Sequence, residues 1–422
     1  MRRKSFDIEK TVMELIMSDD LAKKKQLAKQ IFDAAYAEGV HSSSIHEFYM
    51  ARGRGEFGGF TVPAINLRSM TYDLARRIFR VAKKNNSGAF IFEIAKSEVG
   101  YTNQPPIEYS SMVLAAAIKE SYSGPIFIQG DHFQVNAAKF MENPDKEMEG
   151  LRALIADAVS SGFYNVDIDS STLVDLSKPD LRKQQLLNYE VCAKLTKFIR
   201  GIEPRGITIS VGGEIGEIGH QNSMPEDLHA FMAGLEERLD KGLVGISKIS
   251  VQTGTTHGGV VLPDGSVAQV SLDFNTLKTL SDIARKEYGL AGAVQHGAST
   301  LPPEAFHKFA ECETAEVHLA TEFQNMIYES KHFPAGLKKR IYEWLKVNAA
   351  GEAKQGETEE QFFYKTRKKA LGPFKKEIMS LPQETRDVIA DEIENKFDFL
   401  FKQLNAVNKA DLVDKYTHTS ST

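Results

Sequence analysis

Asp131-His132, the loop TTHGG around His257 (255–259) and the loop QHGAST around His296 (295–300) pair histidine with acid or glycine in ways that suit metal chemistry. GGEIGEIG (212–219) adds Glu214 and Glu217, and FYNVDIDSS (163–171) adds Asp167 and Asp169. Three neutral imidazoles plus a carboxylate form a natural set for zinc or another divalent metal, with a position left for substrate. Any one of these histidines alone is as well explained by a satisfied place in the core or a loop hydrogen bond. The chain has only 11 histidines, however, and three in comparable settings beside acids point to a site. The glycines beside His257 and His296 let backbone approach a ligand, and successive N–H groups can cradle an anion. GGEIGEIG does not carry the glycine spacing of a dinucleotide fingerprint, and its glutamates would repel a pyrophosphate. Lys248 raises a rival chemistry, because a desolvated barrel lysine can form a Schiff base with a carbonyl. It begins its apolar run, away from the end where the polar residues gather, so a solvated or snorkelling side chain is expected there.

Eight short runs rich in Val, Ile and Phe must position these residues: 60–66, 88–95, 124–132, 163–171, 206–216, 248–254, 291–299 and 312–320. Amphipathic stretches such as YDLARRIFRVAKK and PEDLHAFMAGLEERL separate them. Near-continuous apolar runs alternating with helices indicate buried parallel strands. Eight of them predict a closed (β/α)8 TIM barrel, with a doubly wound open sheet as the alternative. The candidate residues collect at the C-terminal ends of the runs, which in a barrel form one face and carry the active site. QHGAST follows the seventh run, where barrel phosphate sites are commonly built. Three regions are expected: an N-terminal helical segment (1–55), the barrel (56–322) and a C-terminal helical extension (323–422). Within the first, Ile8 to Gly39 is helix-like and ARGRGEFGG (51–59) is a loop. In the last, KQGETEEQ (354–361) reads as a solvated loop and the stretch from Leu381 as a long amphipathic helix.

Composition narrows the class. The 422 residues are 42% apolar and 26% charged, ordinary for a globular protein. Lys plus Arg number 52 against 57 Asp plus Glu, a net charge of -5, so nucleic acid and anionic membranes are not expected partners. The two cysteines, Cys192 and Cys312, exclude a disulfide framework. No 18-residue apolar run and no apolar leader are present, so a cytoplasmic location is expected.

In this order and spacing, the motifs FTVPAIN, GDH, FYNVDIDSS, GGEIGEIG, TGTTHGG and HGAST resemble those of the class II, metal-dependent fructose-bisphosphate aldolases, a family that includes the tagatose-bisphosphate aldolases. The resemblance runs from about Phe60 to Thr321, with a weaker echo in the C-terminal helices. It implies that His132, His257 and His296 bind a catalytic zinc, with Glu214 and Asp169 at neighbouring metal positions. Asp131 would protonate the carbonyl oxygen of the aldehyde. Gly258, Gly297, Ala298 and Ser299 would hold the phosphate of dihydroxyacetone phosphate, together with a monovalent cation. Thr321 and Ser97 would add substrate contacts. A homodimer or homotetramer acting on a small phosphorylated sugar is expected.

Three departures from the family pattern bear on the substrate. The loop after the fifth run lacks the usual acidic motif and has His220, Gln221 and Asn222 instead; Glu217 and Glu226 are unmatched replacements for its base. The eighth run has His318 and Ala320 where the family has Asn and Asp ahead of Thr. The loop after His257 has Val260, Val261 and Leu262 in place of a lysine. The leading expectation is cleavage of fructose 1,6-bisphosphate to dihydroxyacetone phosphate and glyceraldehyde 3-phosphate. Tagatose 1,6-bisphosphate or a similar ketose is the second, and a non-catalytic subunit of a tagatose-bisphosphate aldolase the third. Retention of Asp131 with all three histidines argues against the last, because a purely structural barrel has no need of that set.

Overall fold

The computed structural model describes residues 6–216, 221–254 and 272–417. Each of the eight apolar runs contains a strand: β1 (Val62–Asn66), β2 (Ile91–Ala95), β3 (Ile126–Gln134), β4 (Asn165–Asp169), β5 (Ser210–Gly216), β6 (Lys248–Val251), β7 (Ala293–Gln295) and β8 (Glu316–Leu319). All pair in parallel with their neighbours in chain order, and β8 returns to β1 with Val62 opposite Glu316 and Ala64 opposite His318. The sheet is therefore a closed barrel, and the open-sheet alternative is set aside. Every residue of β1, β2 and β4 is buried, as strands covered on both faces must be.

The barrel interior departs from the usual filling of Val, Ile and Leu. Glu93 of β2, Gln129 of β3, Asp167 of β4, Lys248 of β6 and Glu316 of β8 are all buried there. The Lys248 Nζ lies 2.6 Å from Glu316, 3.0 Å from Asp167 and 2.7 Å from the Gln129 side-chain Oε1, with 1% of its side chain exposed. Lys248 is thus neither solvated nor snorkelling, contrary to the expectation from its place in the run. Its ammonium is enclosed by acceptors, and although burial opposes the charge, Asp167 and Glu316 raise its pKa. That is the opposite of what a Schiff-base nucleophile requires.

The N-terminal segment forms two helices, Ile8–Met17 and Leu21–Ala37, rather than one continuous run. The break falls where Asp20 caps the second helix by accepting from the N–H groups of Ala22 and Lys23. Residues 51–53 belong to the helix His46–Gly53, so only the remainder of ARGRGEFGG is loop. This helix covers the N-terminal end of the barrel: the Ile45 N–H, at its start, donates to the Asn165 carbonyl at 2.9 Å, and the Tyr49 hydroxyl donates to Glu316. In the C-terminal part, KQGETEEQ is loop only up to Thr358, which caps the helix Glu359–Thr366. The long helix Gln383–Gln403 lies along Thr71–Lys84, joined by Arg386–Asp73 at 3.1 Å and Arg77–Asp387 at 2.7 Å.

Glu108, on the helix Pro106–Lys119, ties both chain ends to the barrel. Its fully buried carboxylate pairs with Lys24 of the N-terminal segment and, at 2.7 Å, with Lys375 of the C-terminal part. Glu108→Ala leaves two largely buried ammonium groups without their counter-ion. The expected loss is about 3–5 kcal/mol, read as a lower urea midpoint at unchanged slope.

Candidate active site

The site begins with an irregularity in β3. Gly130 faces Val166, but the next partner pair is Phe133 with Ile168, so β3 carries one extra residue between them. Successive strand residues normally point to opposite faces, and a bulge relaxes that rule. Asp131 and His132 consequently both line one cavity at the C-terminal end of the barrel. His132 takes a left-handed φ of 41°, a conformation that costs a non-glycine residue energy and is held here by its surroundings. Gly130 has to be glycine, because a Cβ there would stand 2.4 Å from the Phe133 ring.

His132 and His296 lie against each other in the cavity lining, their ring centroids 4.1 Å apart and their planes tilted by 36°. The His132 Nδ1 lies 3.3 Å from Asp169 and 3.2 Å from Glu214, which arrive from the ends of β4 and β5. Asp169 is held in turn by the Ser171 hydroxyl at 2.7 Å and the Gln134 amide at 2.5 Å. His296 follows β7, and its Nε2 is 3.1 Å from the Ser250 hydroxyl. Asp131 completes the group: one donor atom each from Asp131, His132 and His296 lie within 4.8 Å of one another, as do those of His132, Asp169 and Glu214. The sequence thus identified Asp131, His132, His296, Glu214 and Asp169, and the fold brings them together. His257, Gly258, Glu217 and His220 lie outside the described residues.

Crowding of charge sets the electrostatics. Burial opposes the Asp131 carboxylate, yet His132, His318 and His296 hold it well below the ordinary carboxylate range. Burial and the neighbouring Asp169 push Glu214 up to about 7. Burial also opposes a charged His132, but Asp131 and Glu214 raise its pKa well above the usual value. Two imidazoles among three carboxylates, with the buried Asp131 Oδ1 lacking a hydrogen-bond partner among the described residues, are a donor set that fits a divalent cation.

The cavity has a volume of about 1000 Å³. Gly297, with φ of 69°, turns the chain after His296, and the Ser299 hydroxyl accepts the Ala320 N–H at 2.9 Å, joining the β7 and β8 loops. Gly297, Ser299, Thr321 and Ser97 line the cavity, as expected for substrate contacts. Ala298 does not: its side chain is fully buried in the apolar core. Glu226, considered as a replacement base, is an exposed residue in the first turn of the helix Pro225–Arg238 and is not in the lining.

Sequence reasoning missed two contributors. His318 lines the cavity at 5% exposure, its ring tilted by 47° against that of His296 with centroids 4.1 Å apart. The sequence showed it only as a departure from the family pattern in the eighth run and as one of several charged or titratable residues inside apolar runs, with Glu93, Asp167 and Glu316. The second is a cationic rim. Arg68 is paired with Glu98 at 2.7 Å, Lys96 with Glu147 at 3.0 Å and Lys365 with Glu357 at 2.6 Å. Lys368, brought by the C-terminal part, also lines the cavity; Glu98 acts on its charge, but it forms no close ion pair among the described residues. Burial, with Arg68 nearby, lowers its pKa.

The model of the family Fructose-bisphosphate aldolase class-II matches residues 54–400. The chain belongs to this family. No curated protein matches the sequence. Among solved structures, one described as a probable tagatose 6 phosphate kinase from Sinorhizobium meliloti is similar at 15% identity and a TM-score of 0.56, covering 82% of this chain and 97% of that one. The fructuronate-tagaturonate epimerase of Cohnella laeviribosi is similar at 12% identity and a TM-score of 0.51, covering 85% and 82%. The fructose-bisphosphate aldolase of Campylobacter jejuni reaches 19% identity and a TM-score of 0.48, over 85% and 94%. Structures this distant share the barrel and say nothing of substrate. Membership of the aldolase family implies a carbon–carbon lyase, and the family is typically metal-dependent, in keeping with the donor set at the mouth of the barrel.

Proposed function

We propose that this protein is a zinc-dependent aldolase that reversibly cleaves fructose 1,6-bisphosphate to dihydroxyacetone phosphate and glyceraldehyde 3-phosphate. The observation that carries this reading is the β3 bulge, which turns Asp131 and His132 into the same cavity beside His296. A carboxylate is thereby fixed next to a metal-ligand set, and aldol chemistry needs both. His132 and His296 would hold the zinc, with Glu214 and Asp169 as neighbouring carboxylates. When bound, the ion supplies a Lewis acid that draws electron density from the ketose carbonyl and its adjacent hydroxyl. Asp131 takes the proton from the C4 hydroxyl as the C3–C4 bond breaks, and returns it to the aldehyde oxygen in the condensation direction. Gly297 and Ser299 anchor the phosphate of the dihydroxyacetone half, so binding energy remote from the reacting carbons orients them.

Lys368 supports a substrate charged at both ends, since a cation on the cavity wall without a close ion pair among the described residues has an anion to meet. Lys368→Ala is expected to raise KM for the bisphosphate about 3–10-fold with kcat little changed. The presence of His318 in β8 and of Ala320 just after it favours a second reading, in which the preferred ketose is the tagatose epimer. A coupled cleavage assay with both bisphosphates separates the two by their kcat/KM values. Failure of the zinc-loaded protein to cleave either sugar would overturn both.

A further inference from the structure

Beneath the metal-ligand set lies a chain of contacts that the reaction as described does not use. His318 Nδ1 is 3.3 Å from Asp131 Oδ1 and 2.9 Å from Glu93 Oε2, and its Nε2 is 2.9 Å from Glu316 Oε1. Glu316 in turn holds Lys248 at 2.6 Å, and Lys248 reaches Asp167 at 3.0 Å. Asp131 and His318 are each 5% exposed, Lys248 1% and Glu316 not at all. We propose that His318 is a positioning residue that fixes the carboxylate of Asp131 toward the substrate, and that the buried Lys248–Glu316 pair fixes His318.

Three observations carry this. Asp131 sits on a bulge beside a left-handed residue, where the strand ladder does not orient its side chain. Among the described residues its buried Oδ1 accepts no well-directed hydrogen bond, and the nearest ring nitrogen is His318 Nδ1 at 3.3 Å, likewise without one, ahead of those of His132 and His296 at 4.0 Å. Finally, the imidazole of His318 has the reach to approach Asp131 with Nδ1 and Glu316 with Nε2 while its face lies against the tilted ring of His296. A carboxylate held on one side by a ring that is itself held from below has a single orientation, which a proton-transferring group needs.

The inference rests on the aldolase reading, and the test separates the two. On zinc-loaded protein, two rates are measured: cleavage of fructose 1,6-bisphosphate, and exchange of the C3 hydrogen of dihydroxyacetone phosphate with deuterated water, followed by NMR. Asp131 serves the oxygen of the aldehyde half, which dihydroxyacetone phosphate lacks, so exchange proceeds without it. His318→Asn is expected to lower kcat for cleavage about 10–100-fold, with KM, exchange rate and zinc content each within about twofold of wild type. In a background of Asp131→Asn, the same substitution should add almost nothing, because both act through one group. Glu316→Gln, which keeps the side-chain shape, should produce a smaller loss confined to cleavage, and it serves if His318→Asn does not fold. Unchanged cleavage in these variants, or parallel loss of cleavage, exchange and zinc, would overturn the positioning role. A wild-type protein that exchanges but shows no variant effect sinks this inference alone; one that neither cleaves nor exchanges sinks the functional reading and this one with it.

Discussion

Asp131→Asn is expected to lower kcat for ketose cleavage by about 10²- to 10⁴-fold, the range that one positioned acid–base group supplies. The substitution keeps the side-chain volume and the β3 bulge and removes only the ability to accept and return a proton. KM should stay within a few-fold, since the proposed reading gives phosphate anchoring to Gly297, Ser299 and the cationic rim rather than to Asp131. Zinc content, measured on the same preparation, distinguishes the two roles that the geometry allows a carboxylate near His132 and His296. Loss of turnover with zinc retained marks a proton carrier. Loss of both would make Asp131 a ligand, and turnover within about threefold of wild type would remove it from the mechanism. The low proton affinity of Asp131 fits the carrier role in the cleavage direction, where the group must arrive as a carboxylate. Its charge is sustained by the imidazoles around it, so the three histidines shape its readiness as well as its position.

The distribution of what could be read from the sequence follows from how a barrel is encoded. A parallel strand covered on both faces must be apolar along its length, so all eight strands stood out as short runs. Their polar C-terminal ends then located Asp131, His132, Asp169, Glu214 and His296. What stayed hidden depends on contacts between distant strands. Lys248 begins an apolar run, and nothing within KISVQTG reveals that Gln129, Asp167 and Glu316 enclose it. His318 likewise looked like a departure from the family pattern, because its meaning lies in Glu93 and Asp131 on β2 and β3 rather than in its own segment. Lys368 shows a different limit: helical periodicity predicts a helix in the C-terminal part but not the wall on which it docks. Interior charge in this barrel is therefore legible only as a set, once the strands have been closed into a ring.

Removal of the metal is expected to have the other large effect. Treatment with a chelator should reduce cleavage to the background rate, and stoichiometric zinc should restore it. Carboxylate chemistry alone cannot stabilise the carbanion left when the C3–C4 bond breaks, and Lys248, the one lysine among the buried residues of the barrel strands, is held charged by Glu316 and Asp167. His296→Ala tests the same centre through the protein. It removes the imidazole that lies against His132 and the contact to the Ser250 hydroxyl. Loss of an outer partner of a metal site already costs 10–100-fold in affinity, so loss of a direct ligand should weaken zinc binding by at least about 100-fold. Turnover at limiting zinc should fall in step. Activity that survives chelation but is lost on borohydride reduction in the presence of substrate would instead require an accessible lysine and a Schiff base. It would force Lys248 out of its cluster or assign the chemistry to another lysine, and the imidazole–carboxylate set around His132 would need a different purpose.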